Sequence, residues 1–329
     1  MVVDNDGTLC VGVVALQGAF REHVVHIERL NNQPSTSTNL PHLEAILVRS
    51  PKDLERCEAL ILPGGESTAI ALGAQRSGLL EPLRDWVRDG RPVWGTCAGM
   101  ILLSREASGI KKGGQDLIGG IDIRVGRNGF GSQVDSFEHQ LDIPTLDKSK
   151  PFPGVFIRAP IVDSILLPKD IDSVSAAEVT KVGRGQGESQ QLFAVQPQGR
   201  FKDNGEPLLD TSSSTRPSAM GRATTDIAAS AVQLTISVAP ALERNGGPRV
   251  QRPPLEILAT LPRLPRGAVP GVGGGNNETQ EGLIGTRPEH DSMIVALKQG
   301  RLMCTSFHPE LTTDSRLHEF FVRKCVLQK

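Results

Sequence analysis

The 329-residue sequence has no excess of charge of either sign and no long hydrophobic run. Its 36 basic and 37 acidic side chains give a formal net charge of −1, so no overall field attracts nucleic acid or an anionic membrane. The first apolar run, Leu9 to Leu16, is too short to cross a bilayer and follows no basic segment. We therefore expect a soluble cytoplasmic protein with no nucleic-acid or membrane partner.

Cysteine is also scarce. The five cysteines, at positions 10, 57, 97, 304 and 325, are widely spaced and form no C-x-x-C pair. This spacing argues against a disulfide framework and against a zinc knuckle. We expect reduced thiols and neither a metal nor an organic cofactor.

Strand and helix patterns alternate over about residues 10–105, with glycine-rich turns where strands end. This alternation predicts an α/β fold with a parallel sheet. Later extended segments suggest antiparallel additions at the sheet edge: 121–125, 133–137 and 154–157. The chain ends with a predicted hairpin, 293–297 and 301–306, and a helix from about Thr313, whose hydroxyl can cap it.

The composition changes between about residues 170 and 254, where Ser, Gln, Gly, Pro and Arg dominate. Such a segment buries too little apolar surface to offset its ordering entropy, which predicts a flexible insertion. Within it, 228–238 is apolar enough for a strand or short helix, and a second Gly/Pro-rich loop covers 263–281. We predict a single domain over residues 1–329, with a core of about 10–168 and 255–327.

The segment PVWGTCAGMILL places Cys97 between a buried strand and an apolar helix. It matches the G-x-nucleophile-x-G elbow, with cysteine in place of serine. Glycines on both sides suit the tight packing of such a turn, and the helix N-terminus offers N–H groups to an oxyanion. A lone cysteine in an apolar stretch is more often a core residue, but the elbow context favours a nucleophile.

A cysteine nucleophile needs a base beside it, because an ordinary thiol is mostly protonated at pH 7. The segment SFHPEL can supply that base. His308 is the candidate base, and Glu310 can fix the tautomer of its imidazole and stabilise the charged form. The alternative is that this segment is only the end of a strand, with solvated side chains.

His23 and His26 lie one turn apart on the first predicted helix, and with no third ligand evident we interpret them as a solvated face and not a metal site.

The segment LPGGEST follows another buried strand. Its two glycines let main-chain N–H groups approach a ligand, so the loop can provide a second oxyanion donor. The alternative is a turn in which Ser67 or Thr68 caps a helix, and both roles can coexist. The loop around Gln17 and Gly18 should lie on the same rim of the sheet as Cys97.

Together GTCAGM, SFHPEL and PGGEST resemble the class I, or triad, glutamine amidotransferases. Three further segments make the resemblance more specific, to the glutaminase subunits of pyridoxal phosphate synthase: VVALQGAFREHV, RNGFGSQVDSFE and VFIRAP. The resemblance implies a flavodoxin-like three-layer α/β sandwich with a mostly parallel sheet, in which Cys97, His308 and Glu310 form the triad. It implies an oxyanion site at Gly65 and Ala98 and glutamine contacts at Gly65, Glu66, Ser67, Arg127, Ile157 and Arg158.

The activity implied is hydrolysis of glutamine, with the ammonia passed to a synthase partner that makes pyridoxal 5'-phosphate. The resemblance also implies that the partner activates the glutaminase. Two alternatives stay open: a glutaminase subunit for a different synthase, and a catalytically silent scaffold of the same fold.

Overall fold

The computed structural model describes residues 7–32, 40–109, 114–127, 136–147, 150–166, 237–239, 252–262 and 292–329. The strands are β1 Thr8–Val14, β2 His42–Val48, β3 Ala59–Leu62, β4 Val93–Thr96, β5 Ser104–Ser108, β6 Ile121–Gly126, β7 Ser136–Leu141, β8 Phe152–Ile157, β9 Ile161–Ile165, β10 Ser237–Val238, β11 Leu255–Pro262, β12 Ser292–Gln299 and β13 Leu302–Thr305. The α-helices are α1 Phe20–Asn31, α2 Pro51–Leu54, α3 Ser67–Arg76, α4 Leu80–Arg88, α5 Ala98–Leu103 and α6 Arg316–Phe320. A 3-10 turn covers Pro309–Leu311, and a π-helical turn covers Phe321–Val326.

The main sheet has seven strands in the order β11-β12-β13-β4-β3-β1-β2. The five strands from β13 to β2 run parallel to one another. β12 pairs antiparallel with β13, which is the hairpin predicted at 293–297 and 301–306, and β11 pairs antiparallel with β12 at the edge of the sheet. The carboxyl ends of β1, β3, β4 and β13 therefore meet at one rim. All the predicted catalytic segments follow these strands.

The main sheet is covered on both faces, which produces three layers. Along β1, Leu9, Val11 and Val13 point into a core with α1 and α6, whereas Cys10 and Val14 point into a core with α3, α4 and α5. This strict alternation has the period of a strand with two buried faces. The predicted three-layer α/β fold with a mostly parallel sheet is confirmed.

The extended segments after Gly119 are not additions to the edge of the main sheet, and that expectation was wrong. β5, β6, β9 and β10 form a second sheet, while β7 and β8 form a separate hairpin. The apolar side chains of β6 pack into the core that covers α4 and α5. A strand pattern predicts extended backbone but does not identify the neighbouring strand.

The C-terminal helix begins later than predicted. The α6 helix starts at Arg316, with Ser315 at its N-cap, so Thr313 does not cap it. The chain first turns through Pro309–Leu311, where the Thr312 hydroxyl donates to the Pro309 carbonyl. This tight turn delays the helix.

Most of the predicted insertion lies outside the described residues, as does the loop at 263–281. Within it, Ser237 and Val238 pair with β5, and Ala239 is buried against the core of the second sheet. The apolar stretch at 228–238, expected to form a strand or a short helix, is therefore a strand at 237–238, and the rest of it lies outside the described residues.

Candidate active site

Cys97 lies on a strained turn between β4 and α5, which we call the nucleophile elbow (residues 95–99). Its backbone has φ 46° and ψ −100°, a conformation that non-glycine residues rarely adopt. The Cys97 N–H donates to the Thr305 carbonyl at 2.8 Å, which ties the elbow to β13. A Cβ at Gly99 would lie 2.1 Å from the Leu62 carbonyl oxygen, so glycine is required there. The elbow expected from the sequence is present.

His308 and Glu310 come from the turn after β13. Both are buried, and His308 Nδ1 lies 2.7 Å from Glu310 Oε1. The 3-10 turn that begins at Pro309 folds the chain tightly enough for two side chains two residues apart to meet. The His308 N–H donates to the Val155 carbonyl at 2.7 Å, so the β7–β8 hairpin also holds the base candidate in place.

Cys97 and Glu310 are the two side chains that act most strongly on the His308 imidazole. Burial works to lower the pKa of His308, but its hydrogen bonds with Cys97 and Glu310 outweigh burial and raise that pKa to about 10. The structure thus brings together the three residues that the sequence singled out. The arrangement favours an imidazolium beside the Cys97 sulfur, which is the pairing that activates a thiol.

The loop 63–66 follows β3 and contacts the same imidazole. A Cβ on Gly64 would lie 2.2 Å from His308 Cε1, so only glycine leaves room for the ring. The Gly64 carbonyl accepts from Ala19 N–H at 3.1 Å, and the Glu66 N–H donates to Gln17 Oε1 at 2.8 Å. The loop at Gln17 and Gly18 therefore lies on the predicted rim and holds the loop 63–66 directly.

Glu66 and Arg127 form an ion pair at the start of α3. The Glu66 carboxylate caps α3 by accepting from Thr68 N–H and Ala69 N–H, and Arg127 Nη2 lies 2.9 Å from Glu66 Oε1. Burial works to raise the pKa of Glu66, but these donors outweigh it and lower the pKa. The cap predicted for this helix is thus provided by Glu66 and not by Ser67 or Thr68.

The remaining predicted glutamine contacts occupy two positions. Ile157 is the last residue of β8 and Arg158 follows it, and the Ile157 carbonyl oxygen lies 3.9 Å from Cys97 Sγ. Arg158 is exposed and has φ 44°. Ser67 is buried, and its hydroxyl donates to Gln115 Oε1 at 3.0 Å. Gln115 was not found from the sequence, because it belongs to no motif and lies 48 residues from its partner.

His23 and His26 do not form a solvated face, and that interpretation was wrong. Both side chains are buried, at 0% and 1% exposure, between α1 and the C-terminal segment. His23 Nε2 lies 3.4 Å from Glu310 Oε2, on the side of the carboxylate opposite to His308. Sequence periodicity counts histidine as polar and cannot detect a polar contact with a residue nearly 300 positions away.

No group of three or more His, Cys, Asp or Glu side chains within the described ranges is arranged to hold a metal ion. In the same part of the chain, no helix is both long and apolar enough to cross a membrane.

A solved structure described as a glutamine amidotransferase superposes on this chain with a TM-score of 0.51 and 27% sequence identity. The match covers 95% of this chain and 96% of the other. The fold, with a cysteine elbow beside a histidine–carboxylate pair, is thus that of the glutamine amidotransferases.

The model of the SNO glutamine amidotransferase family matches residues 13–199 and 278–327. The chain belongs to this family. An Arabidopsis thaliana protein named as a probable pyridoxal 5'-phosphate synthase subunit PDX2 is 30% identical over 319 residues, covering 96% of this chain and 85% of the relative. The pyridoxal 5'-phosphate synthase subunit PdxT of Herpetosiphon aurantiacus is 45% identical over 157 residues, covering 48% and 76% respectively. The PdxT subunit of Dehalococcoides mccartyi is 47% identical over 153 residues, covering 46% and 72%.

Proposed function

We propose that this chain is the glutaminase subunit of a pyridoxal 5'-phosphate synthase and supplies ammonia from glutamine to a synthase partner. One observation carries the proposal: Cys97, held at a positive-φ elbow, interacts with His308, and His308 Nδ1 lies 2.7 Å from Glu310 Oε1. Membership of the amidotransferase family supports glutamine as the substrate. The names of the relatives support the partner.

In the first half of the reaction, the Cys97 thiolate attacks the side-chain amide carbon of glutamine. The carbonyl oxygen becomes an oxyanion, for which the N–H groups of Ala98 and Gly65 are the proposed donors. The Cys97 N–H is already bonded to Thr305, so Ala98 offers the next N–H along the elbow. His308 then gives its proton to the amide nitrogen, the C–N bond breaks, and ammonia leaves a glutamyl thioester.

In the second half, neutral His308 takes a proton from water, which attacks the thioester carbon. The C–S bond breaks, glutamate leaves, and Cys97 is returned to its starting state. Glu310 orients the imidazole in both halves and stabilises its charged form through the bond at Nδ1. No net oxidation or additional reactant is needed.

The proposed glutamine pocket is formed by Gly65, Glu66, Ser67, Arg127, Ile157 and Arg158. The pairing of Arg127 with Glu66 supports it, because an α-amino acid carries one charge of each sign and can be held by one partner of each sign. The Ile157 carbonyl oxygen lies 3.9 Å from the Cys97 sulfur, which supports a contact between this segment and the reacting end of the substrate.

We also propose that the whole chain forms one glutaminase domain, with the segment at about 170–254 as an insertion into it. The proposed compartment is the cytoplasm. The five cysteines are buried and none is in a disulfide, and such thiols stay reduced there.

The direct test is glutamate release by the full chain, measured alone and across a titration with the purified synthase partner. We expect a low rate alone that rises to saturation, because docking can reorient the Gly64–Gly65 peptides so that an N–H faces the substrate. An absence of hydrolysis at every point of the titration would refute the glutaminase proposal. A high rate that does not change with added synthase would refute only the coupling.

A further inference from the structure

Three buried imidazoles lie behind the triad, and we call His23, His26 and His318 the histidine cluster. His23 Nδ1 lies 2.9 Å from His318 Nε2, and the rings of His26 and His318 are stacked with centroids 4.3 Å apart. His26 Nδ1 lies 2.8 Å from Ser315 Oγ. Each ring is almost completely buried, so each polar contact affects stability or function.

The cluster meets the triad at the second oxygen of Glu310. Oε1 is bonded to His308, whereas Oε2 is buried and has no hydrogen bond that meets standard geometry among the described residues. The nitrogen that faces Oε2 is His23 Nε2, at 3.4 Å. A buried carboxylate supported at one oxygen only can rotate about its last torsion, so a donor at Oε2 determines which way Oε1 points.

The hydrogen bonds assign the protons within the cluster. His318 Nδ1 has no partner in the described part of the chain, and a buried unpaired N–H is rarer than a buried unpaired acceptor, so the proton of His318 is on Nε2. His23 Nδ1 must then accept from His318 Nε2. The proton of His23 is therefore on Nε2, which faces Glu310 Oε2 and, at 3.3 Å, the Thr96 hydroxyl.

Burial lowers the pKa of all three imidazoles of the cluster, which favours their neutral form near pH 7. Burial lowers the pKa of His23 to about 4, helped by the positive charges that His26 and His308 can carry and opposed by Glu310 and Glu22. Burial also holds the pKa of His318 well below its usual value. A neutral donor supports the carboxylate without adding a second cation to compete with His308 for it.

We propose that His23 is a positioning residue for the triad: its protonated Nε2, 3.4 Å from Glu310 Oε2, attracts that oxygen electrostatically and holds the carboxylate so that Oε1 meets His308 Nδ1. The same nitrogen lies near Thr96, the residue that precedes Cys97, so His23 links the elbow to the acidic end of the triad. This inference rests on the proposed function, because the roles of His308 and Glu310 are themselves part of that proposal.

The first test compares His23→Leu, His23→Gln and His26→Gln in the full chain, assayed with the synthase partner. Leucine removes the donor, and we expect kcat to fall on the order of tenfold while KM for glutamine stays within about twofold. Glutamine retains an N–H donor and should recover most of kcat. His26→Gln is the matched control, because His26 lies one turn further along α1 in the same stack and bonds Ser315 and the Thr312 carbonyl instead of the carboxylate.

A double-mutant cycle separates positioning from general stability. If His23 acts through Glu310, His23→Leu should change kcat less than about twofold when Glu310 is already Gln. An equal loss in both backgrounds, or a loss in His26→Gln as large as in His23→Leu, would overturn the proposal.

A second measurement does not depend on turnover. The proton between His308 and Glu310 should give a far-downfield NMR signal in the wild-type chain and in His26→Gln, and this signal should be broadened or lost in His23→Leu. An unchanged signal in His23→Leu would contradict the proposal. If neither the wild-type chain nor any variant hydrolyses glutamine, the proposed function fails. The NMR comparison then still decides whether His23 positions the carboxylate.

Discussion

His308 and His23 contact opposite oxygens of one carboxylate, and their surroundings affect an imidazole in opposite ways. On the side facing Cys97, hydrogen bonds to the thiol and to Glu310 overcome burial, and the pKa of His308 is raised to about 10. On the side facing the core, burial overcomes the attraction of Glu310, and the pKa of His23 is lowered to about 4. Proximity to a carboxylate therefore does not decide whether a histidine is charged. The balance between burial and the number of acceptor groups decides it.

The largest effect is expected at Cys97, which faces the charged imidazole of His308. We expect Cys97→Ala to reduce glutamine hydrolysis by at least about a thousandfold, because no other group can form the thioester. The assembled synthase should still work when ammonium salts are supplied. Loss of both activities would mean that Cys97 has a structural role or a role in assembly.

Glu310→Gln tests the carboxylate that both histidines share. The amide keeps the volume but removes the charge that supports imidazolium at His308, so we expect kcat to fall on the order of a hundredfold. The matched control is Glu319→Gln on α6, because that carboxylate pairs with Arg323 instead of a histidine. Rates near wild type in Glu310→Gln would remove Glu310 from the triad.

Gly64→Ala tests the space on the His308 side. The added methyl would lie 2.2 Å from His308 Cε1, so the ring must move away from Cys97, and we expect kcat/KM to fall by about tenfold. Gly73→Ala is the control, since its nearest neighbour would be Leu16 Cβ at 3.3 Å and alanine favours a helix. Similar kinetics in the two variants would contradict close contact at Gly64.

The neutral side of the comparison predicts a pH effect on stability. His23 takes up a proton on unfolding when the pH lies between its folded pKa of about 4 and its usual 6.5, so stability falls as the pH is lowered through this window. From pH 7 to pH 5 its contribution falls by about 2 kcal/mol. Denaturant unfolding of the wild type and His23→Gln at both pH values isolates this term, because His308 affects both proteins alike. Parallel losses in the two proteins would show that His23 is not held neutral.

The sequence predicted the surroundings of His308, because they depend on local patterns. Cys97, His308 and Gly64 each follow a short apolar strand, and parallel strands bring their carboxyl ends to one rim, so the strand pattern alone predicts that these residues converge. The positive φ of Cys97 follows from the same elbow pattern.

The sequence did not predict the surroundings of His23, because they depend on long-range packing. His23 and His318 are nearly 300 residues apart and meet only when α1 and α6 pack on the same face of the main sheet. The second sheet was missed for a related reason. The pattern of β6 is that of a strand, but its pairing with β5 and β9 depends on tertiary contacts.

The central claim is that Cys97 attacks the side-chain amide of glutamine. Its most direct test is reaction of the full chain, with its synthase partner, with a thiol-directed glutamine analogue, followed by peptide mass mapping. The account predicts modification at Cys97, with the other four cysteines unmodified, and protection by excess glutamine. Failure to label Cys97, or labelling that excess glutamine does not slow, would contradict the claim.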